Sequence, residues 1–173
     1  PQGVIAVATM AATPMHEALK EARLVVVPHE IRDPGNAGTV PRAADAAGAD
    51  AVIFAGESID PWNPKVVRST TGSLFHVPMV VGVSLSEAVQ ALRKQEITPV
   101  AADVRGEDLN PNDPLLKHSL AWVFGNEARG LTAGERKLIG EARRLPIFGE
   151  AESLNLATAA SVCLYTSAFA RRG

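Results

Sequence analysis

Four stretches of this sequence set polar side chains beside glycines or hydroxyl residues in ways that suit binding and chemistry. The first is Pro34-Gly35-Asn36-Ala37-Gly38, followed by Arg42. Its glycines allow a tight turn or close approach of the backbone to a ligand. Asn36 offers both a donor and an acceptor, and the Arg42 fork suits a phosphate. An ordinary strand-to-helix turn with a solvated arginine has the same spacing. The second is Phe124-Gly125-Asn126-Glu127-Ala128-Arg129-Gly130-Leu131, where Glu127 suits a positively charged group or a hydroxyl. Its plain alternative is a loop whose charges face water. The third, Gly149-Glu150-Ala151-Glu152-Ser153-Leu154-Asn155, runs into an apolar helical stretch, so Ser153 and Asn155 also suit helix capping. The fourth, from Arg68 to His76, carries a hydroxyl run that suits a phosphate but reads more readily as a polar helix end and turn.

Several chemistries are excluded or disfavoured. There is no G-x-G-x-x-G fingerprint and no Walker lysine. His76 has no metal-ligand spacing to His16, His29 or His118, so no metal site is expected. The single cysteine, Cys163, rules out an intrachain disulfide and sits in an apolar stretch as a buried thiol would. With 17 basic and 19 acidic residues the net charge is −2, so composition does not mark a nucleic-acid binder. Any RNA contact must rest on local clusters of Arg and Lys or on protein outside this chain. No apolar run approaches the roughly 18 residues that span a membrane, and no secretory signal is visible. A cytoplasmic location is expected.

The elements that must position these residues alternate. Apolar runs at 24–27, 51–54, 79–83, 100–102, 120–124 and 145–147 read as strands, several of them buried on both faces. Helical patterns cover 14–22, 40–47, 85–95, 133–142 and 154–170. Ser84 with Glu87 and Thr132 with Glu135 read as capping boxes, and Thr13 before Pro14 as an N-cap. Residues 105–114 read as a surface loop. The alternation predicts an α/β domain with a parallel sheet flanked by helices. In such sheets ligands bind beyond the carboxyl ends of the strands, where three of the four stretches lie. The helix from residue 154 onward is small or apolar on nearly every face, which calls for burial all round or by a partner chain.

Taken in order, these stretches resemble the SpoU branch of the SPOUT methyltransferases over roughly residues 24–170. Asn36, Gly38, Arg42, Ala44 and Gly48 are similar to its first motif. Gly125, Asn126, Glu127, Gly130 and Leu131 are similar to the second. Pro146, Gly149, Ser153, Leu154, Asn155, Ala159 and Ala160 are similar to the third. Residues 69–78 also resemble a family stretch. Pro41, Ala128 and Thr158 depart from the usual pattern without removing a catalytic side chain.

The resemblance implies a C-terminal deep trefoil knot and an S-adenosyl-L-methionine cofactor. It further implies an obligate homodimer whose interface includes the C-terminal helix. Carried over residue by residue, Gly125, Glu127, Leu145, Ile147, Leu154 and Asn155 would line the cofactor site, with Val104 near the adenine. Asn36, Arg42, Glu127, Ser153 and Asn155 would form the catalytic set. The implied reaction is methylation of a ribose 2′-hydroxyl in RNA. Ribosomal RNA is favoured over tRNA because Pro1-Gln2-Gly3-Val4 resembles the junction after a ribosomal-protein-like domain. On that reading residues 1–12 are a linker from a missing N-terminal RNA-binding domain, and 13–173 form the catalytic domain. A non-catalytic RNA-binding dimer of the same fold is the alternative from another class. The family proposal makes Arg42 the base. Arginine stays protonated up to a pKa of roughly 12, so a grip on phosphate and on developing alkoxide charge suits it better.

Overall fold

The computed structural model describes residues 12–172 together with Gly3, Val7 and Thr9. The expected linker over residues 1–12 falls largely outside them. Six parallel strands form one sheet in the order β3-β2-β1-β5-β4-β6. They are β1 (Leu24–Pro28), β2 (Ala51–Ala55), β3 (Met79–Val83), β4 (Thr98–Asp108), β5 (Leu120–Phe124) and β6 (Glu141–Arg144). The helices are α1 (Met15–Ala18), α2 (Pro34–Ala47), α3 (Pro64–Thr70), α4 (Leu85–Lys94), α5 (Ala133–Ile139) and α6 (Leu156–Arg172).

Side chains of a strand alternate between faces, and that alternation sorts the core into two layers. Leu24, Val26, Val52, Phe54, Leu120, Trp122 and Phe124 pack on the side that carries α2, α3 and α6. Val25, Val27, Ile53, Ala121 and Val123 pack on the side that carries α1, α4 and α5. The central strands are therefore apolar at every position. Trp122 is wholly buried, and its Nε1 donates to Ser167 Oγ of α6 at 2.9 Å, so the indole N–H is not orphaned. Cys163 lies in the same layer, and burial pushes its thiol pKa up to about 12.

Several expectations need correction. The stretch from Pro34 onward is not a turn: α2 starts at Pro34, with Asp33 Oδ1 accepting from Asn36 N at 2.7 Å as N-cap. Gly38 is glycine for packing, since a Cβ there would lie 2.7 Å from the Val66 carbonyl oxygen of α3. Pro41 stands inside α2. The strand expected at 145–147 is instead β6, four residues earlier and polar. An edge strand is not buried on both faces, so hydropathy does not mark it. The surface loop expected from 105 is a continuation of β4 through Asp108, with Gly106 pressed against the β6 backbone so that a Cβ would meet Ala142 C at 2.7 Å. α5 stops at Gly140, whose φ of +90° ends it short of 142. α1 is only Met15–Ala18, with Pro14 rather than Thr13 at the N-cap position and no side-chain cap. Both capping boxes are present.

Candidate active site

Beyond the carboxyl ends of β1, β5 and β4 lies a cleft of about 970 Å³. That is large for a small-molecule site, whose usual range is roughly 300–1,000 Å³. Two walls face each other across it. One is the loop after β5, and the other is the segment 145–155 that returns from the edge strand β6 to α6. The chain gets there because β6 pairs with β4 while α6 packs on α2 and β5.

The first wall is tied down. Gly125 must be glycine, since a Cβ would lie 2.5 Å from the Gly130 carbonyl carbon. Asn126 Nδ2 donates to Glu30 O at 2.9 Å, while its Oδ1 accepts from Ala128 N and Arg129 N. Glu127 does not reach Asn36. Its carboxylate accepts from the backbone N–H groups of Arg32, at 3.2 and 3.3 Å, and of Asp33, at 3.1 Å. It thereby fixes the β1–α2 connection and, through Asp33, the start of α2.

The second wall supplies apolar surface. Leu145, Ile147 and Leu154 line the cleft, as does Val104 from β4. Asn155 joins this wall to the first motif. Its Nδ2 donates to Asn36 Oδ1 at 3.0 Å, and its Oδ1 accepts from Ala157 N and Thr158 N, capping α6. Asn36 is nine-tenths buried, so this amide pair is held in one geometry at the cleft surface. Ser153 also lines the cleft but is exposed, and it makes no hydrogen bond among the described residues.

Every cofactor-side candidate, Val104, Gly125, Glu127, Leu145, Ile147, Leu154 and Asn155, thus lines one cleft with Asn36 and Ser153. Arg42 does not. It is exposed on α2, six residues past Asn36, and has no ion pair among the described residues. Six residues of helix rise about 9 Å. The hydroxyl run of the fourth stretch is largely structural: Thr70 is buried and bonds to Val67 O, and Ser69 Oγ donates to Gly35 O at 3.1 Å.

One cluster escaped the sequence reading. Behind the first wall, His29 Nε2 lies 2.9 Å from Glu135 Oε1, and Arg129 bridges Glu30 and Glu135. Burial opposes the Glu135 charge, yet hydrogen bonds from Arg129, the Thr132 N–H and His29 hold its carboxyl well below the usual range. The bonds to Glu135 and Glu30 raise the Arg129 pKa further above its ordinary value. Arg129 within the second stretch and the capping box at Thr132–Glu135 are the traces of this cluster in the sequence.

The model of the SpoU rRNA Methylase family matches residues 23–165. The chain belongs to the SpoU methylase family. It is 37% identical over 169 residues to the 23S rRNA (guanosine(2553)-2′-O)-methyltransferase RlmP of Bacillus subtilis, covering 95% of this chain and 64% of that protein. It is also 37% identical to a 23S rRNA (uridine(2479)-2′-O)-methyltransferase of Streptomyces viridochromogenes, covering 95% of this chain and 59% of the relative. Among solved structures, the SpoU methyltransferase AviRb of Streptomyces viridochromogenes in complex with the cofactor AdoMet superposes with a TM-score of 0.85. It is 32% identical, covering 94% of this chain and 66% of that one. The SpoU domain described here therefore spans just under two thirds of several longer relatives.

Proposed function

We propose that the cleft binds S-adenosyl-L-methionine and that the protein methylates a ribose 2′-hydroxyl in RNA, ribosomal RNA in preference to tRNA, in the cytoplasm. The observation that carries this is the Asn36–Asn155 amide pair at the cleft, which joins a residue of the stretch that resembles motif one to a residue of the stretch that resembles motif three. Two 23S rRNA 2′-O-methyltransferases among the relatives support the substrate class.

The residues present fit the cofactor. Leu145, Ile147, Leu154 and Val104 offer apolar surface to a flat heterocycle, and Gly125 brings bare backbone to the opposite wall. Bound there, S-adenosylmethionine supplies a methyl group on a sulfonium, open to in-line displacement by the ribose oxygen. The protein must then hold the hydroxyl roughly 3–3.5 Å from the methyl carbon and aligned with it. Asn36 and Asn155, already locked to each other, hold the ribose, with the free Ser153 hydroxyl beside them. Glu127 contributes by fixing the start of α2. Arg42, outside the cleft and unpaired among the described residues, grips an RNA phosphate, and its stabilisation of developing alkoxide charge requires the bound RNA to bring it to the ribose.

The working unit is a homodimer through α6. Val162, Tyr165 and Phe169 are 42%, 40% and 70% exposed and recur on one helical face. Such a stripe on a helix otherwise packed into the core is a surface for a second copy. The segment 145–155 would thread the trefoil knot that the family resemblance implies. No helix of the described residues is long and apolar enough to cross a membrane. Calorimetric titration of S-adenosylmethionine into the protein tests the reading: a single site per chain is expected, with a raised melting temperature. No heat and no shift at millimolar cofactor would leave a non-catalytic RNA-binding dimer instead.

A further inference from the structure

We propose that Arg129 is a positioning residue for the methyl-transfer site: its bridge between Glu30 and Glu135 sets the 125–131 loop, and through it both the cofactor wall and Asn36. This inference rests on the cofactor reading above.

Arg129 ties three elements together. Its Nη2 donates to Glu30 Oε2 at 2.7 Å, just past the end of β1. Its Nη1 and Nη2 donate to the Glu135 carboxylate of α5 at 3.1 and 3.2 Å. The guanidinium fork is suited to such a two-carboxylate bridge, and a lysine ammonium is not. Glu30 is held at φ +52°, a left-handed conformation uncommon for a residue with a Cβ. That residue gives its carboxylate to Arg129 and its carbonyl to Asn126 Nδ2, while its own N–H donates to Ala55 O. Strained backbone therefore stands where the loop docks.

Beneath lies His29, 4% exposed, with its ring against Gly56, where a Cβ would come within 2.7 Å of Cε1. Its Nδ1 is buried without a partner among the described residues, so the tautomer that donates from Nε2 to Glu135 satisfies the one bond available. His29, Glu30 and Glu135 also bring ligand atoms within 4.8 Å of one another, as a metal site would. A metal-bound histidine passes its other ring N–H to an acceptor, and Nδ1 has none. Arg129 already holds the outer carboxylate oxygens. The cluster is built as a clamp around an arginine.

The clamp has no slack on its cleft side. Gly125 runs so close to Gly130 that a methyl group would not fit between them. Glu127, two residues before Arg129, holds Arg32 N and Asp33 N, and Asp33 in turn caps Asn36 N at 2.7 Å. Each link from Arg129 to Asn36 is a hydrogen bond or a covalent step, and none is a loose contact.

The test uses the full-length protein, with S-adenosylmethionine as probe, titrated calorimetrically against wild type, Arg129→Lys and Arg129→Met. Melting of the ligand-free forms is measured alongside. Arg129→Met is expected to bind about tenfold more weakly, with Arg129→Lys between it and wild type. Glu30→Gln is expected to weaken binding less and to add little on top of Arg129→Met, because the two act through one bridge. Should Arg129→Met not fold, Arg129→Lys and Glu30→Gln carry the same readout. A lower melting temperature with unchanged affinity in the folded variants makes the bridge merely structural and overturns the proposal. Wild type that fails to bind overturns the cofactor reading, and this inference falls with it.

Discussion

The two walls of the cleft are built on opposite plans. In the wall after β5, the amide of Asn126 and the carboxylate of Glu127 are both occupied by backbone or side-chain partners, and the guanidinium of Arg129 is held by two carboxylates. In the facing wall, residues 145–154 make no hydrogen bond among the described residues, and Phe148 is 96% exposed. Only Asn155 at its end is fixed. The tied wall carries preorganised geometry, which is what orientation of two reactants requires. The loose wall carries apolar surface, which needs little direction and gains its order from burial against a ligand. On the proposed reading, a methyl-transfer site assembled this way would place its precision in the amide pair and the β5 loop, and its affinity for the heterocycle in Leu145, Ile147 and Leu154.

The comparison breaks most readily at the amide pair. Asn155→Asp keeps the oxygen that caps α6 but loses the N–H donated to Asn36. Methylation is expected to fall by about 10²–10³-fold while the melting temperature stays near wild type. Single-turnover methylation with parallel calorimetric melting separates the two effects. Equal loss of both would make Asn155 a cap alone.

Arg42→Lys keeps a charge and loses the fork, so about 10²-fold in kcat is expected to go, with cofactor affinity unchanged and a pH profile parallel to wild type. A variant whose rate climbs steeply toward the lysine pKa, while wild type stays flat, would make this side chain the base.

Two glycines sharpen the contrast between the walls. Gly125→Ala forces a methyl group into backbone and is expected to cost about 1–3 kcal/mol, the usual range for overpacking. Nothing lies within 4 Å of the Cβ position at Gly149, so Gly149→Ala is expected to stay within about 0.5 kcal/mol. Denaturant unfolding of both variants decides it, and equal costs would erase the distinction between the walls.

Acid supplies a further test of the tied wall. The Glu135 carboxyl is depressed in the folded protein, so its contribution to stability is present above the ordinary carboxylate pKa. It is lost as pH falls through the lower folded value. Glu135→Gln is expected to lower stability by roughly 1–3 kcal/mol at pH 7, between an exposed and a fully buried pair. The deficit should shrink below about pH 4, where the unfolded carboxyl protonates. A deficit constant from pH 7 to pH 3 would mean that the charge is not what matters.

Much of this plan is legible in the sequence, for unequal reasons. The central strands show because burial on both faces leaves continuous apolar runs. The capping boxes show because their partners are three residues apart. β6 hides because an edge strand carries Glu141, Arg143 and Arg144, which hydropathy reads as anything but sheet. The first motif looked like a turn because its glycines suggested one. In the fold Gly38 serves helix packing against α3 and Gly48 ends α2 at φ +74°, while Asn36 alone of that motif reaches the cleft. The clamp around Arg129 could be read only in fragments, as Arg129 in the second stretch and Glu135 in its capping box. His29 and Glu135 stand 106 residues apart, and nothing local relates them.

The most direct test is to incubate the full-length protein with ribosomal RNA and S-adenosylmethionine carrying a deuterated methyl group, then digest the RNA and weigh its nucleosides. The account predicts one nucleoside carrying the label on its ribose 2′-oxygen, absent from the Asn155→Asp reaction. Label on a base, or none on ribosomal RNA or tRNA from a protein that binds the cofactor, would contradict it.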